Sequence, residues 1–411
     1  MKKIMIIGGG HGQMPLIKLA KQTGLFIVVV SPMGNYPGIA LADKLIEEDV
    51  FDKERILEIA QAERIDCVLS DQSDFTVPTV AYIAEKMGLN GNRFETATFY
   101  TNKFLQRTLC EKIGVPTPQF TKIKAGDIES RKCLDAVNVP VIVKPVDSQG
   151  SRGVEKVDDT SLLPAACKRA CAYSKNGEVI VEEFVMGREV VCEGFVLDGK
   201  YHNVAFGDRY YFDLENKFIP SRTVFPSTIP KNVKAKITEY ESKICEHTKA
   251  SFGTTHSEYL IDERDGRIVL VETALRGGGV YIASDLIPLS TGVDLTAVLL
   301  NAMLGNRDTV TNMLNGRGDK KVAAYICFYL KEGIVSKVYG LEKLKSDPRV
   351  KLAEVDEITE GYKAPVFEHK GMRKGPILVV ADDLNDLDRL IQMIKESYGV
   401  EIDGKPGVVW D

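Results

Sequence analysis

The chain has 411 residues, enough for two or three domains and a sizeable core. Hydrophobic residues make up 44% and charged residues 27%, an ordinary balance for a globular protein in water. The net charge of −5, with acids and bases interspersed, argues against a nucleic-acid backbone as the main partner. No apolar run reaches the roughly 18 residues of a membrane-spanning helix.

The opening MKKIMIIGGGHG is too short for a signal-peptide core and reads as a first strand. MPLIKLAKQTG follows as an amphipathic helix stopped by Gly24, then LFIVVVSP and DCVLSD as buried strands. DKERILEIAQAE and PTVAYIAEKMG supply further helices, and the alternation predicts βαβ units on a parallel sheet. GGGHGQ lies at the first strand-to-helix turn, but a GxGxxG register from Gly10 would need glycine at Pro15. One ending at Gly12 would need it at Ile7. The second strand ends at Val30-Ser31 with no acid for a ribose hydroxyl, so a dinucleotide site is not expected.

A second region starts near Tyr100. NKFLQRTLCEKIG is helical, VPTPQF extended, and PVIVKP a strand closed by Pro145. EVIVEEFV is another strand. EVVCEGFVLDG and KYHNVAFGDRY form a hairpin through Asp198-Gly199-Lys200. KAKITEYESKICEHTKASFG is a helix, and HSEYLIDERDGRIVLVETALR is a second hairpin turning at Asp265-Gly266. The last ninety or so residues mix strands (KVAAYICFYL, GPILVVADD) with the helix LNDLDRLIQMIKESYG. The eight cysteines include no CxxC pair; Cys167 and Cys171 sit at helical spacing without a histidine and read as reduced structural thiols. Cytoplasm is the expected compartment.

The ionisable residues gather at strand ends. Lys144 closes an apolar strand before SQGSRG, where Gln149, Gly150, Ser151, Arg152 and Gly153 could turn backbone N–H groups toward an anion. The same loop would also suit a solvated turn. Glu182 and Glu183 end one strand, before Phe184 and Val185, and Glu189 begins the next. Glu258 and Glu272 lie on the two hairpin arms at matched distances from the turn, so their carboxylates can converge. Such a pair repels unless a cation intervenes, and hard oxygen donors beside a polyphosphate favour Mg²⁺. Two acids on an exposed hairpin face would carry the same spacing. Arg276 follows Glu272 by four residues and leads into Gly277-Gly278-Gly279.

The order of these pieces is more specific than any one of them. Lys103, then Lys-Pro with a glycine loop, Glu-Glu-Phe-Val, Gly-Arg-Glu, His-x-Glu and Glu-x-x-x-Arg-Gly-Gly-Gly together resemble the ATP-grasp superfamily over nearly the whole chain. The pattern also resembles the ATP-grasp domains of carbamoyl-phosphate synthase and, less closely, those of biotin carboxylase, which usually keep an asparagine where this chain has Ala274. The resemblance implies an N-terminal Rossmann-like parallel-sheet domain over 1–99 and an ATP-grasp domain of two α+β subdomains over 100–310, its lid at about 113–183. A small C-terminal α+β lobe over 311–411 completes it. It implies Lys103 and Lys144 on ATP phosphates under a Gln149–Gly153 lid, Glu182 with Phe184 and Val185 at the adenine, and Glu189 at the ribose. Glu258 and Glu272 would bind Mg²⁺, with Mn²⁺ as a substitute, and Arg276 would hold the acyl phosphate or a substrate carboxylate. The family's usual Glu-x-Asn-x-Arg is here Glu272-Thr273-Ala274-Leu275-Arg276. Ala274 cannot ligate a metal, so a second Mg²⁺ loses that ligand; the Glu-x-Ala-x-Arg form is similar to the L-amino-acid and dipeptide ligases.

The activity so implied is carboxylate–amine ligation through an acyl phosphate, with an amino acid among small-molecule substrates and a homodimer as the common assembly. GDRYYFDLENKFIPSRTVFPS would lie near the substrate. Arg209 or Arg222 could grip a carboxylate there, or be solvated arginines of a surface loop. His11 and His256 could be acid–base groups or structural; His256 shares a strand face with Glu258. Gly277 and Gly278 join the substrate residues. A purine-pathway ligase or carboxylase of the same fold, and an ATP-binding protein without ligase activity, are the competing readings.

Overall fold

A computed structural model describes residues 1–128, 138–214, 217–318 and 320–410. The N-terminal region builds a parallel sheet from β1 (Lys3–Ile7), β2 (Phe26–Ser31), β3 (Lys44–Glu47) and β4 (Cys67–Leu69), in the order β3-β2-β1-β4. Helices α1 (Met14–Gln22), α2 (Lys53–Glu63) and α3 (Val77–Met87) cover it. β1, β2 and β4 are buried on both faces, which is why they read as continuous apolar runs, whereas the edge strand β3 is mostly exposed. Ile4 and Ile6 pack in one core with Leu16 and Ile17 of α1, while Met5 and Ile7 join Ile56 of α2 and Ile83 of α3 in another.

After α4 (Phe94–Tyr100) comes α5 (Lys103–Ile113), which starts where the Asn102 side chain accepts the Leu105 N–H and ends at left-handed Gly114. A small antiparallel sheet follows, built from β5 (Phe120–Lys124), β6 (Val141–Pro145), β7 (Glu155–Val157) and β8 (Glu178–Glu183), in the order β5-β8-β6-β7. α6 (Leu163–Cys171) closes its core.

The large sheet contains β9 (Gly187–Leu197), β10 (Lys200–Tyr211) and β11 (Pro220–Phe225), with α7 (Lys231–Thr248) leading to β12 (Phe252–Asp262) and β13 (Ile268–Ala274). Both expected hairpins form. Leu197 pairs with Lys200 around Asp198 (φ 51°) and Gly199 (φ 76°), a turn with two positive φ angles that matches strand twist. Glu258 pairs directly with Glu272 across β12 and β13, next to an irregularity that leaves Val271 unpaired between Glu272 and Leu270.

The C-terminal region adds β14 (Val322–Leu330), β15 (Gly333–Tyr339), β16 (Val350–Ala353), β17 (Lys363–Ala364) and β18 (Lys374–Ala381), then α8 (Leu384–Ser397). The large sheet runs β13-β12-β9-β10-β11-β14-β18-β16, so it crosses the expected division at 310 through pairing of β11 with β14. Period-two alternation divides its residues between two faces. On β9, Val190 and Cys192 pack with Ile237 and Ile244 of α7, while Glu189, Val191 and Glu193 face the other way. Among the described residues no single helix is long and apolar enough to cross a membrane. The bent pair Ile282–Thr291 and Leu295–Leu304, apolar enough by composition, is mostly buried in the core against α1 and the large sheet.

Candidate active site

A cavity of about 780 Å³ opens between the small and large sheets, large enough for a nucleotide-sized ligand. The N-terminal region contributes Gln72 and Asp74 to its wall, and the C-terminal lobe contributes His369, Lys370 and Gly371. The sequence-predicted residues Lys103, Lys144, Gln149, Gly150, Ser151, Arg152, Glu182, Glu183, Phe184, Val185, Glu189, Arg209, His256, Glu258, Glu272 and Arg276 all line it.

At the small-sheet end, β6 delivers Lys144 and β8 delivers Glu182, paired at Nζ–Oε2 2.7 Å. Arg107, one helical turn beyond Lys103 on α5, donates Nε to Glu182 Oε1 at 2.7 Å and Nη2 to the Val271 carbonyl at 2.5 Å. Burial opposes the Glu182 charge, yet Arg107 and Lys144 hold its carboxyl below the usual range. Burial, with repulsion from Arg107 and Lys103, pulls the Lys144 ammonium below its usual value despite Glu182. Lys103 reaches Glu272 Oε1 at 2.8 Å and the Ser148 carbonyl at 2.7 Å.

The large sheet supplies the opposite wall. Arg209 Nη1 donates to Glu189 Oε1 at 2.9 Å and also reaches Glu258, while the Tyr211 hydroxyl donates to Glu189 Oε2. Burial, reinforced by Glu258, raises the Glu189 carboxyl. Burial also works against Glu258, but Arg209 and His256 keep it well below the usual carboxylate range. His256 is held between Glu193, which contacts Nδ1, and Glu258, 3.4 Å from Nε2. Although burial disfavours the imidazolium, those two carboxylates raise its pKa. The facing carboxylates Glu258 and Glu272 are thus each matched to a cation of the chain itself, Arg209 and Lys103.

Arg276 is clamped by Asp74, with Nε–Oδ1 2.9 Å and Nη2–Oδ2 3.2 Å. The Asp74 backbone N–H in turn donates to Gln149 Oε1 at 2.8 Å, so the N-terminal region holds both Arg276 and the glycine loop. In that loop Gly150, Ser151 and Gly153 all have positive φ. Gly277 and Gly278 lie behind the wall, where their N–H groups donate to Asp71 Oδ1 at 2.7 Å and Glu193 Oε2 at 3.2 Å. A Cβ on Gly278 would sit 2.6 Å from Glu193 Oε1, so the close approach requires glycine. Arg222 is not brought into the cavity. Opposite Tyr210 in the β10–β11 register, it takes the sheet face away from Arg209, with its guanidinium 4.2 Å from the Tyr210 ring centroid. Glu183 anchors the hairpin turn through Arg264 and Arg267.

Sequence reasoning missed Arg107, Asp71, Asp74, Glu193 and Lys370. Arg107 carried a signal, since its i+4 spacing from Lys103 shares a helix face. So did Asp71 and Asp74, which follow the carboxyl end of β4, where open parallel sheets bind ligands. Glu193 shares the β9 face of Glu189, but nothing local marks it out from a surface acid.

The family described as D-ala D-ala ligase C-terminus matches residues 109–278. Alanine–anticapsin ligase of Bacillus subtilis (strain 168) is 25% identical over 285 residues, 64% of this chain and 58% of that protein. The chain therefore spans less than two thirds of that ligase. Formate-dependent phosphoribosylglycinamide formyltransferase of Sulfolobus acidocaldarius is 25% identical over 282 residues, 67% of this chain and 70% of that protein. Among solved structures, L-amino acid ligase from Bacillus licheniformis superposes with a TM-score of 0.82 at 20% identity, over 98% of this chain and 99% of that one. The fold is that of the ATP-grasp proteins, as the order of motifs implied.

Proposed function

We propose that the protein is an ATP-dependent carboxylate–amine ligase that activates a carboxylate as an acyl phosphate and joins it to an amine, with an amino acid among its substrates. The observation that carries this reading is the convergence on one cavity of Lys103, Lys144, the opposed Glu258 and Glu272, and Arg276. The relatives named as ligases support it.

The donor set suits Mg²⁺. Two carboxylates stand directly opposite one another and face the cavity, and Mg²⁺ commonly takes one or two carboxylates plus phosphate oxygens. Among the described residues no group of three or more His, Cys, Asp or Glu converges, so phosphate and water would complete the shell. Glu258 and Glu272 would hold the ion, which would neutralise charge on the transferring phosphoryl group. Lys103 and Lys144 would bind phosphate oxygens, and the Gln149–Gly153 loop would cover them and keep out water. Arg276 would orient the reacting carboxylate. A carboxylate oxygen attacks the γ-phosphorus and ADP leaves; the amine then attacks the acyl carbon, the C–O bond to phosphate breaks, and the amine loses a proton.

The test is phosphate release from MgATP across a panel of amino acids and other carboxylates, formate included because of the formyltransferase relative, with hydroxylamine as a trap. A hydroxamate from one acid is the expected result. No carboxylate-dependent phosphate from any acid–amine pair would overturn the reading.

A further inference from the structure

Lys175 sits in the turn between α6 and β8 of the small sheet. Its ammonium lies 3.4 Å from the centre of the Phe51 ring and 5.1 Å from that of Phe75. Both rings belong to the N-terminal region, Phe51 beyond β3 and Phe75 beyond β4, and they meet edge to face with centroids 5.4 Å apart and planes at 74°. Among the described residues this is the shortest approach of a cation to an aromatic ring, and it joins two regions far apart in sequence.

The turn is tied to the glycine loop. The Lys175 backbone N–H donates to Asp147 Oδ2 at 3.1 Å, at the root of that loop. Two residues further on, Gln149 accepts the Asp74 N–H at 2.8 Å, and Asp74 is the neighbour of Phe75 and the clamp of Arg276. Asp74-Phe75 therefore meets the small sheet at two points, the glycine loop and the Lys175 turn. Ser148 to Arg152 line the cavity from one side and Gln72 and Asp74 from the other, so these contacts fasten one wall to its opposite. Phe51 is 44% exposed and Lys175 is exposed as well, which makes theirs an exposed cation–aromatic pair. Such a pair is modest in strength, as suits a contact that must open in every catalytic cycle.

Resting on the reading of the Gln149–Gly153 loop as a lid, we infer that Lys175 is its catch. Seated on the Phe51–Phe75 pair, it holds the small sheet against the N-terminal region, and nucleotide release waits for it to let go.

The test is the release of N-methylanthraniloyl-ATP with Mg²⁺, chased by excess MgATP in a stopped-flow instrument without a carboxylate substrate. Lys175→Met and Phe51→Leu should each speed release about two- to fivefold, the factor that an exposed cation–aromatic contact supplies. F51L changes no charge, so the same effect in both variants excludes a lost attraction to the phosphates. The double variant K175M/F51L should release no faster than K175M, because the two side chains share one contact. K175R, which keeps a cation over the rings, should stay close to wild type. Unchanged release in K175M, multiplied effects in the double variant, K175R as fast as K175M, or a lowered Tm with release unchanged would each overturn the inference; the last would mark a static contact. A wild type that binds neither MgATP nor its fluorescent analogue overturns the nucleotide reading of the cavity, and the catch with it.

Discussion

Arg107→Met tests whether the base of the cavity is a buried ionic cluster. Arg107 is fully buried (0% exposed) and holds both oxygens of Glu182, at 2.7 and 3.3 Å, besides the Val271 carbonyl. Methionine keeps the helix and much of the volume but leaves Glu182, 3% exposed, with Lys144 alone. Removing one partner of a buried ion pair costs about 3–5 kcal/mol. At about 2–4 °C per kcal/mol for a domain of 150–250 residues, a loss near 4 kcal/mol lowers Tm by roughly 8–16 °C. Calorimetry on wild type, R107M and the double variant R107M/E182L reads it directly. The double variant should lose less than the sum of its parts, because no orphan carboxylate remains. An R107M protein melting within about 2 °C of wild type would refute the reasoning.

Glu241, 2% exposed, accepts the Tyr259 hydroxyl at 2.5 Å, and burial raises its carboxyl from 4.5 to about 7. The folded state thus favours the protonated form; that stability is complete below about pH 4.5 and is lost as pH rises through 7. E241Q should match wild type in urea at pH 4 and exceed it at pH 8 by up to about 3 kcal/mol; no gain at pH 8 would contradict this. Gln149→Ala removes the acceptor that ties the glycine loop to the Asp74 N–H at 2.8 Å. Trypsin should then cut at exposed Arg152 several-fold faster, with MgATP slowing cleavage of the wild type, and equal rates would count against the tether. Glu272→Ala should abolish Mg²⁺-dependent turnover with the circular dichroism spectrum intact, and near-normal turnover would remove Glu272 from the metal site. Lys144→Ala should raise KM for MgATP at least tenfold, and an unchanged KM would remove Lys144 from the phosphates.

The order of elements was legible because its signals are local. Apolar runs such as IMII and IVVV announce strands covered on both faces, Asp198-Gly199 and Asp265-Gly266 announce turns, and counting from the second turn aligned Glu258 with Glu272. What stayed hidden depends on contacts across long stretches of chain. Asp74 meets Arg276 from more than two hundred positions away, and Glu193 reaches Gly278 only after β9 enters the sheet beside β12. Arg209 and Arg222 look alike in sequence, yet β10 and β11 send them to opposite faces. The sheet that crosses position 310 was equally invisible, because strand pairing between β11 and β14 leaves no local mark.

The central claim is that a carboxylate oxygen attacks ATP. With the acid identified by the panel labelled with oxygen-18 in its carboxylate, the phosphate released during coupling is analysed by mass spectrometry. The account predicts that each phosphate carries one labelled oxygen, transferred when the acyl phosphate forms and kept when it breaks. Unlabelled phosphate would contradict acyl-phosphate activation.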